Sequence, residues 1–219
     1  MAHPKRLYLD VHVLQSVPAS CINRDDTGSP KTAVYGGVTR ARVSSQSWKR
    51  AMRLMFRELF PEEKLGMRTK KIVPMVAEEI ERLRAADDSL TAAQKMLEAA
   101  GLKIKSAEKG TDALFFLSRS QAKALAQLVA DEPQLLKGSL SKADKEKIAR
   151  ALTEHPAIDV ALFGRMVADD PSLNTDASAQ VAHSLSTHKV SNEYDYFTAV
   201  DDLPEEDNAG AGHIGTVEF

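Results

Sequence analysis

The chain has 219 residues, of which 43% are hydrophobic and 27% are charged, and its formal net charge at pH 7 is −2. These values are typical of a globular protein that can bury a sizeable core, and they say nothing about partners. The single cysteine, Cys21, excludes a disulfide within the chain and fits a reducing compartment. No signal-peptide pattern is visible, and no apolar run approaches the roughly 20 residues of a membrane-spanning helix, so we expect a cytoplasmic protein without a membrane partner.

The charges are sorted along the chain. Between Arg24 and Arg57 there are eight Lys or Arg residues and two acids, whereas the stretch from Glu193 to Phe219 has eight acids and no Lys or Arg. The distribution of charge therefore carries the functional information that the net charge lacks.

The first predicted elements are two strands separated by a long loop. Residues 7–14 alternate between apolar and polar, which predicts a half-buried strand with Tyr8 and His12 on its polar face. Residues 15–38 contain many Gly and Pro residues and are interpreted as a long structured loop. Residues 39–43 alternate again and predict a second strand.

A helix is predicted to follow, with Ser44 or Ser45 as its N-cap and with Pro61 after its end. Its apolar residues recur at helical spacing and are expected to form a buried stripe: Trp48, Ala51, Met52, Met55 and Leu59. Lys49, Arg53 and Arg57 form a separate cationic stripe.

The pattern of the remaining chain predicts mainly short helices, followed by turns. The predicted helices are residues 74–86, 91–100, 120–130 and 141–154, the last with a Ser141 cap and Asp144 three residues after it. Residues 113–117 are interpreted as a strand or a buried connector, residues 158–163 as a buried strand and residues 176–186 as a short helix. Residues 187–219 are rich in turn formers and end in what reads as the opening of a strand.

The junction of the second strand and the helix is interpreted as a phosphate-binding device. Lys49 and Arg50 lie in the first turns of the helix, where the helix dipole disfavours cations by about 0.3 to 1 kcal/mol each at an exposed site. A phosphate bound at the helix start would reverse this penalty, with Ser44 and Gln46 as additional donors. Arg40 and Arg42 on the strand strengthen this interpretation; the alternative is a solvated basic face.

A loop metal site is a second interpretation. Asp25 and Asp26 could hold a divalent metal for phosphodiester cleavage, although a salt bridge with Arg24 is the favoured explanation of these carboxylates. His183 and His188 lack metal-ligand spacing, so we expect no metal and no cofactor.

Several motifs follow one another along the chain: Asn23-Arg24-Asp25-Asp26, Lys31, Gly36-Gly37, Arg42-Val43-Ser44-Ser45-Gln46-Ser47, Lys49-Arg50-Ala51-Met52-Arg53, Asp159 to Met166, Thr187-His188, Asp195 to Leu203 and His213 to Thr216. In sequence and in order they resemble the CasC family, the repeated backbone subunit of the type I-E CRISPR Cascade complex.

The resemblance implies an α+β, hand-shaped fold. It comprises an RNA-recognition-motif-like (ferredoxin-like) palm, a large helical fingers insertion and a thumb hairpin at about residues 188–215. The expected segments are 1–60 for the N-terminal half of the palm, 61–156 for the fingers, 157–187 for the return to the palm, and 188–219 for the thumb and the start of the next palm strand. Family members continue beyond the equivalent of Phe219 with the second half of the palm, so we expect a C-terminally truncated chain with an incomplete palm.

The resemblance also implies a non-catalytic subunit that stacks head to tail on a CRISPR RNA (crRNA) and presents it to target DNA in antiviral defence. The other implied partners are further copies of the chain and the large, small, guide-handle-capping and guide-processing Cascade subunits. Together with the strand arginines, the expected RNA-binding residues are Arg24, Lys31, Arg40, Arg42, Ser44, Gln46, Lys49, Arg50, Arg53, Arg165 and Met166. The alternatives are a metal-dependent nuclease that uses Asp25 and Asp26, and a generic RNA-recognition module outside any CRISPR complex.

Overall fold

The structure is a computed structural model that describes residues 7–84, 86–200, 202–203 and 211–219, with the backbone alone for residues 200 and 211–214. The strands are β1 Thr32–Tyr35, β2 Val38–Val43, β3 Gly66–Thr69, β4 Ile104–Ser106, β5 Gly110–Thr111, β6 Phe115–Ser118, β7 Ser184–Leu185, β8 Tyr194–Val200 and β9 Ala211–Glu218. The α-helices are α1 Ser45–Leu59, α2 Ile72–Arg82, α3 Ser89–Ala99, α4 Arg119–Asp131, α5 Lys142–Thr153 and α6 Ile158–Phe163. This mixture confirms the α+β class.

The chain forms two compact units, each described by itself below. Unit 1 comprises Met1–Ser47 and His183–Phe219, and unit 2 comprises Trp48–Ala182, so that helix α1 begins in unit 1 and continues in unit 2. The palm and the division into four segments stay predictions. None of the helices in the described ranges is long and apolar enough to cross a membrane.

Unit 1 contains a three-stranded antiparallel sheet in the order β1-β2-β7 and a separate hairpin of β8 and β9. Gly36 and Gly37 connect β1 to β2 with φ angles of 65° and 78°. A two-residue hairpin turn with both φ angles positive is the type I′ geometry that glycine favours. The sequence prediction treated these residues as part of a loop and missed β1, whereas the second strand and the C-terminal strand are confirmed.

The strand predicted for residues 7–14 is wrong. These residues have no regular structure, and the side chains of Leu7, Leu9 and Val11 are at least 75% exposed. Alternation favours a strand only when a neighbouring strand supplies hydrogen bonds and a second layer covers the apolar face, and none of the described strands pairs with this segment. Tyr8 and His12 are therefore exposed on irregular chain and not on a sheet face.

Unit 2 is built around a helical core. Helices α2, α3, α4 and α5 bury a continuous set of apolar side chains, including Ile72, Met96, Leu125 and Ile148, each 0% exposed. Two small antiparallel pairs, β3 with β6 and β4 with β5, belong to this unit. The four predicted helices and the strand near residue 115 are confirmed, with shifts of one to three residues at most ends.

The ends of these helices follow their sequence signals. Ser141 accepts from the backbone N–H of Asp144, whose side chain accepts from the Ser141 N–H, so the predicted capping pair is present. A second capping box joins Ser118 and Gln121 at the start of α4. Each reciprocal pair satisfies two of the backbone donors that a helix start leaves without partners.

The buried stripe predicted for α1 is wrong. No residue of α1 is buried, and Met55 and Leu59 are 59% and 63% exposed. The side of the helix that carries Phe56 packs instead, with its ring stacked on Phe163 of α6 at 6.1 Å between centroids. Periodicity thus located the helix correctly but could not identify which side is covered.

Two further predictions are corrected after residue 156. Residues 158–163 form helix α6 and not a strand, because a short apolar run fits either element and periodicity cannot separate them. The helix stops at Gly164, whose φ of 77° favours glycine. Residues 176–183 have no regular structure, and Ser184–Leu185 is strand β7, so the predicted helix over residues 176–186 is also wrong.

Candidate nucleic-acid interface

The start of helix α1 is held by side chains of unit 1. The backbone N–H of Ser44 donates to Oδ1 of Asn23 at 3.0 Å, and that of Ser45 donates to Nδ1 of His183 at 3.3 Å. The buried Ser44 hydroxyl accepts from the N–H of Ser47 at 3.3 Å, which confirms its capping role. These donors are satisfied within the fold, so the helix start is not an open row of N–H groups for a phosphate.

Asn23 and His183 were missed as site residues. The sequence places Asn23 in the loop of the candidate metal site and predicts His183 to be a solvated or core histidine, and neither pattern indicates a contact with the start of α1. Asn23 lies 21 residues from its partner Ser44, and His183 lies 138 residues from its partner Ser45. Such long-range contacts leave no local pattern in one sequence.

Two predicted RNA-binding arginines of unit 1 are bonded to backbone carbonyls. Nη1 of Arg24 donates to the carbonyl oxygens of Gly28 at 2.7 Å and Glu218 at 2.8 Å. Arg40 donates from Nε to Tyr35 at 3.0 Å and from Nη1 to Ser186 at 2.9 Å. Part of the donor capacity of each guanidinium is therefore used by the fold.

Lys31 and Arg42 are neighbours in unit 1, and each has side-chain hydrogen-bond donors that the described part of the fold does not use. The backbone N–H of Arg42 donates to the carbonyl oxygen of Lys31 at 2.9 Å. The buried Nε of Arg42 has no hydrogen-bond partner among the described residues, and the Lys31 side chain forms no ion pair there. A buried donor without a partner is uncommon in a stable fold, and the half-buried Arg42 side chain forms no ion pair among the described residues.

Gln46, Lys49 and Arg50 share one side of α1 because they are spaced by three and four residues. Gln46 and Arg50 are exposed. Lys49 is half-buried, and its Nζ lies 5.9 Å from the centroid of the Phe163 ring, a cation–π distance. Neither Lys49 nor Arg50 forms an ion pair in the described ranges, so their charged groups can reach an anion outside the fold, where the amide of Gln46 can add a neutral donor.

Arg53 differs from its neighbours on α1 because its guanidinium is tied into unit 2. Nε lies 2.9 Å from Oδ2 of Asp159, Nη2 donates to the carbonyl oxygen of Gly66 at 3.3 Å, and Cζ lies 4.4 Å from the centroid of the Phe116 ring. The Asp159 side chain is only 3% exposed. These contacts give Arg53 a structural role and reduce its capacity for RNA.

Arg165 is also a structural residue, which argues against its predicted contact with RNA. It is 5% exposed, and its guanidinium donates to the backbone carbonyls of Phe116, Leu152 and Leu173 at 2.8 to 3.1 Å. Burial lowers the pKa of Arg165 to about 10. The adjacent Met166, by contrast, is 85% exposed, so of this pair only Met166 is available to a partner.

The carboxylate of Asp25 is occupied by its own loop. Its Oδ1 accepts from the Thr27 hydroxyl at 2.7 Å and from the backbone N–H groups of Thr27 and Ser29 at 3.0 Å. The hydrogen bond from the Thr27 side chain is the main reason why the pKa of Asp25 lies below its usual value. The residues that the structure describes contain no group of three or more His, Cys, Asp or Glu residues that could hold a metal ion. Asp25 therefore acts as a loop-stabilising acceptor here.

A protein-family model described as CT1975-like protein matches residues 9–219. The chain belongs to this family of Cas proteins. No match was found among curated proteins.

The chain is also similar to chains in two solved structures. A chain in a structure entitled "CRISPR RNA-guided surveillance complex, pre-nicking" is 35% identical with a TM-score of 0.65, and the match covers 91% of this chain and 58% of that one. A chain in a "CRISPR RNA-guided surveillance complex" is 35% identical with a TM-score of 0.60, and that match covers 79% of this chain and 56% of the other. This member of the CT1975-like family thus spans 58% or less of the length of either solved chain.

Proposed function

We propose that the protein is a non-catalytic, crRNA-binding backbone subunit of a Cascade complex, of the CasC type found in type I-E systems. In this role copies stack head to tail on one guide in the cytoplasm and present it to target DNA, next to the other Cascade subunits. The observation that carries the proposal is the 35% identity over 91% of this chain with a chain of an RNA-guided surveillance complex.

The geometry supports a narrower set of guide contacts than the sequence predicted. Arg24, Arg40, Arg53 and Arg165 make hydrogen bonds within the fold, and Ser44 caps its helix. The residues that keep free polar groups or exposed surface are Lys31, Arg42, Gln46, Lys49, Arg50 and Met166. We assign the phosphate contacts to the four cations of this set, because phosphate binding requires positive groups whose hydrogen-bond donors are not already used by the fold.

The affinity for a labelled single-stranded RNA, measured by fluorescence anisotropy between about 50 and 200 mM salt, tests this assignment. Each phosphate contact to a single strand contributes about 0.7 to the slope of log K against log salt, so Lys49→Ala/Arg50→Ala is expected to reduce the slope by about 1.4. Lys123→Ala/Lys145→Ala is the matched control, because both lysines are exposed on helices of unit 2 and form no ion pair in the described ranges.

Two outcomes would reject parts of the proposal. If the control reduces the slope as much as the Lys49/Arg50 variant, the loss reflects net charge and the assignment of the contacts fails. If the unsubstituted protein does not bind RNA even at the lowest salt concentration, the RNA-binding function itself fails.

Head-to-tail stacking is the second part of the proposal. In such a stack, the basic stretch from Arg24 to Arg57 of one copy would meet the acidic stretch from Glu193 to Phe219 of the next, and a heterologous contact of this kind produces open filaments. Sedimentation velocity with and without a long RNA measures the size of the assembly. Species that grow with the length of the RNA are expected, and a strict monomer in both conditions would argue against stacking.

A further inference from the structure

Four cations gather in unit 2 where β3 ends and α2 begins. Arg68 lies in β3, Lys70 and Lys71 connect it to α2, and Lys109 lies at the β4–β5 turn. We name these four residues the β3–α2 patch. None of them was a predicted site residue.

A close backbone contact brings the two parts of the patch together. The backbone N–H of Thr111 donates to the carbonyl oxygen of Lys70 at 3.1 Å. Gly110 fits against the same carbonyl, since a Cβ placed on this glycine would lie 1.8 Å from the oxygen. Lys109 precedes Gly110 and is thereby held beside the peptide that links Lys70 to Lys71.

The side chains of the patch are exposed and form no ion pairs within the described ranges. Neighbouring lysines behave differently, because Lys103 pairs with Asp169 and Lys105 pairs with Asp112. Two exposed carboxylates lie nearby in the chain, those of Glu108 and Asp112. Because Asp112 pairs with Lys105, of the two only Glu108 offsets the patch, which keeps an excess of three positive charges.

Helix stability does not explain this arrangement. Lys71 is the N-cap residue of α2 but makes no side-chain capping bond, and the first turn of α2 contains no acid. Cations at a helix start are disfavoured by about 0.3 to 1 kcal/mol each at an exposed site. Two adjacent lysines at this position therefore lower the stability of α2, and an external anion would offset that loss.

Arg68 is oriented by an aromatic ring. Its Cζ lies 5.2 Å from the centroid of the Phe116 ring, which is also in contact with Arg53. Phe116 is 4% exposed and lies opposite Arg68 in the β3–β6 pair. The guanidinium is thus positioned before a ligand arrives, which reduces the entropy that binding must overcome.

We propose that the β3–α2 patch binds the phosphodiester backbone of a nucleic acid and is a contact surface in addition to the cations of α1. Several exposed, unpaired cations along a short length of surface match the repeated charges of a polynucleotide. The patch rests on the proposed function only for the class of ligand, and its ligand is either an RNA single strand or a DNA duplex.

A triple variant, Lys70→Ala/Lys71→Ala/Lys109→Ala, tests the patch while leaving Arg68 on its ring. Anisotropy is measured with labelled single-stranded RNA and, separately, with a labelled DNA duplex of random sequence, over the same salt range. We expect the slope of log K against log salt to fall by about 2.7 with the duplex or about 2.1 with RNA, and the probe that responds identifies the strand. Lys70→Arg/Lys71→Arg/Lys109→Arg keeps the charges and is expected to retain the affinity.

The matched control is Lys123→Ala/Lys137→Ala/Lys145→Ala, which removes three exposed lysines without ion pairs elsewhere in the described part of unit 2. If the patch variant loses no more affinity than this control with either probe, the proposal is overturned and an acidic protein surface becomes the partner to test. This failure is distinct from a failure of the proposed function, in which the unsubstituted protein would not bind RNA at all.

Discussion

Nε of Arg53 lies 2.9 Å from Oδ2 of Asp159, and the other oxygen of that carboxylate accepts the backbone N–H of Gly66 at 2.8 Å. The Asp159 side chain is 3% exposed and that of Arg53 is 20% exposed. One carboxylate therefore joins α1, α6 and β3 inside unit 2. In the sequence Arg53 looked like one more cation of a phosphate-binding helix, and only the fold shows its partner.

Arg53→Ala is expected to lower the free energy of unfolding by about 2 to 4 kcal/mol, because the buried Asp159 carboxylate loses its cation. Urea denaturation measures the loss. Arg50→Ala is the control, because Arg50 is exposed and forms no ion pair in the described ranges, and its effect should stay within about 0.5 kcal/mol. Equal stability of the two variants would contradict the structural role of Arg53.

Arg165→Met is expected to lower the free energy of unfolding by at least about 3 kcal/mol, because the carbonyls of Phe116, Leu152 and Leu173 would lose a charged donor in the interior. Thermal and urea denaturation check this. Met166→Ala removes an exposed side chain next to it and should leave stability within about 0.5 kcal/mol. A stable Arg165→Met protein with weakened RNA binding would instead restore Arg165 as an RNA contact.

Local signals in the sequence predicted the regular elements better than the contacts between them. The Ser141 and Asp144 pair announced the start of α5, since a capping box is formed by residues three apart. The apolar stripe of α1 located the helix, yet the side that packs is the one with Phe56, because its partner Phe163 lies more than 100 residues later in the chain.

In the candidate site, too, the sequence did not predict the contacts between elements. Arg50 and Arg53 are both arginines on α1, and the sequence gives no sign of which one forms an ion pair. Only the position of Asp159 in the fold shows that Arg53 is paired and that Arg50, among the described residues, is not. The strand predicted for residues 7–14 is wrong for a related reason, since alternation indicates an apolar face but not whether another strand pairs with the segment.

Ser44→Ala and Asn23→Ala are each expected to destabilise the protein by about 1 kcal/mol, since each removes a side-chain acceptor at the start of α1. The two residues act on one helix end, so the double variant should lose less than the sum of the single losses. Chemical denaturation of the four proteins completes this cycle. Ser139→Ala in an exposed loop is the control, and additive losses would argue against a shared cap.

Gly36→Asn is expected to leave the protein as stable or to raise its melting temperature. Gly36 has a φ of 65°, which asparagine tolerates, and a Cβ there would meet only Nη2 of Arg40 at 3.8 Å. The reduced freedom of the unfolded chain favours folding by up to about 1 kcal/mol. Gly36→Val is the contrasting variant, because a β-branched residue at positive φ is strained. A lower melting temperature for Gly36→Asn would contradict the type I′ turn.

Incubation with labelled RNA or DNA and magnesium is expected to yield no cleavage products. Oδ1 of Asp25 already accepts three hydrogen bonds from its loop, which leaves only Oδ2 of this carboxylate for a metal. Gel analysis of the unsubstituted protein and of Asp26→Asn makes the comparison. Cleavage products that form with the unsubstituted protein but not with Asp26→Asn would contradict the non-catalytic role and support a nuclease.

Arg24 fastens the base of the β8–β9 hairpin to the loop before β1, since one of its nitrogens bonds to both Gly28 and Glu218. A force on the hairpin is therefore transmitted to the loop that leads into Lys31. If the hairpin rests on a neighbouring copy, the arrival of that copy and the grip of Lys31 on the guide are mechanically linked. In the proposed assembly along RNA, the docking of one subunit would then constrain the loop that leads into Lys31 of its neighbour.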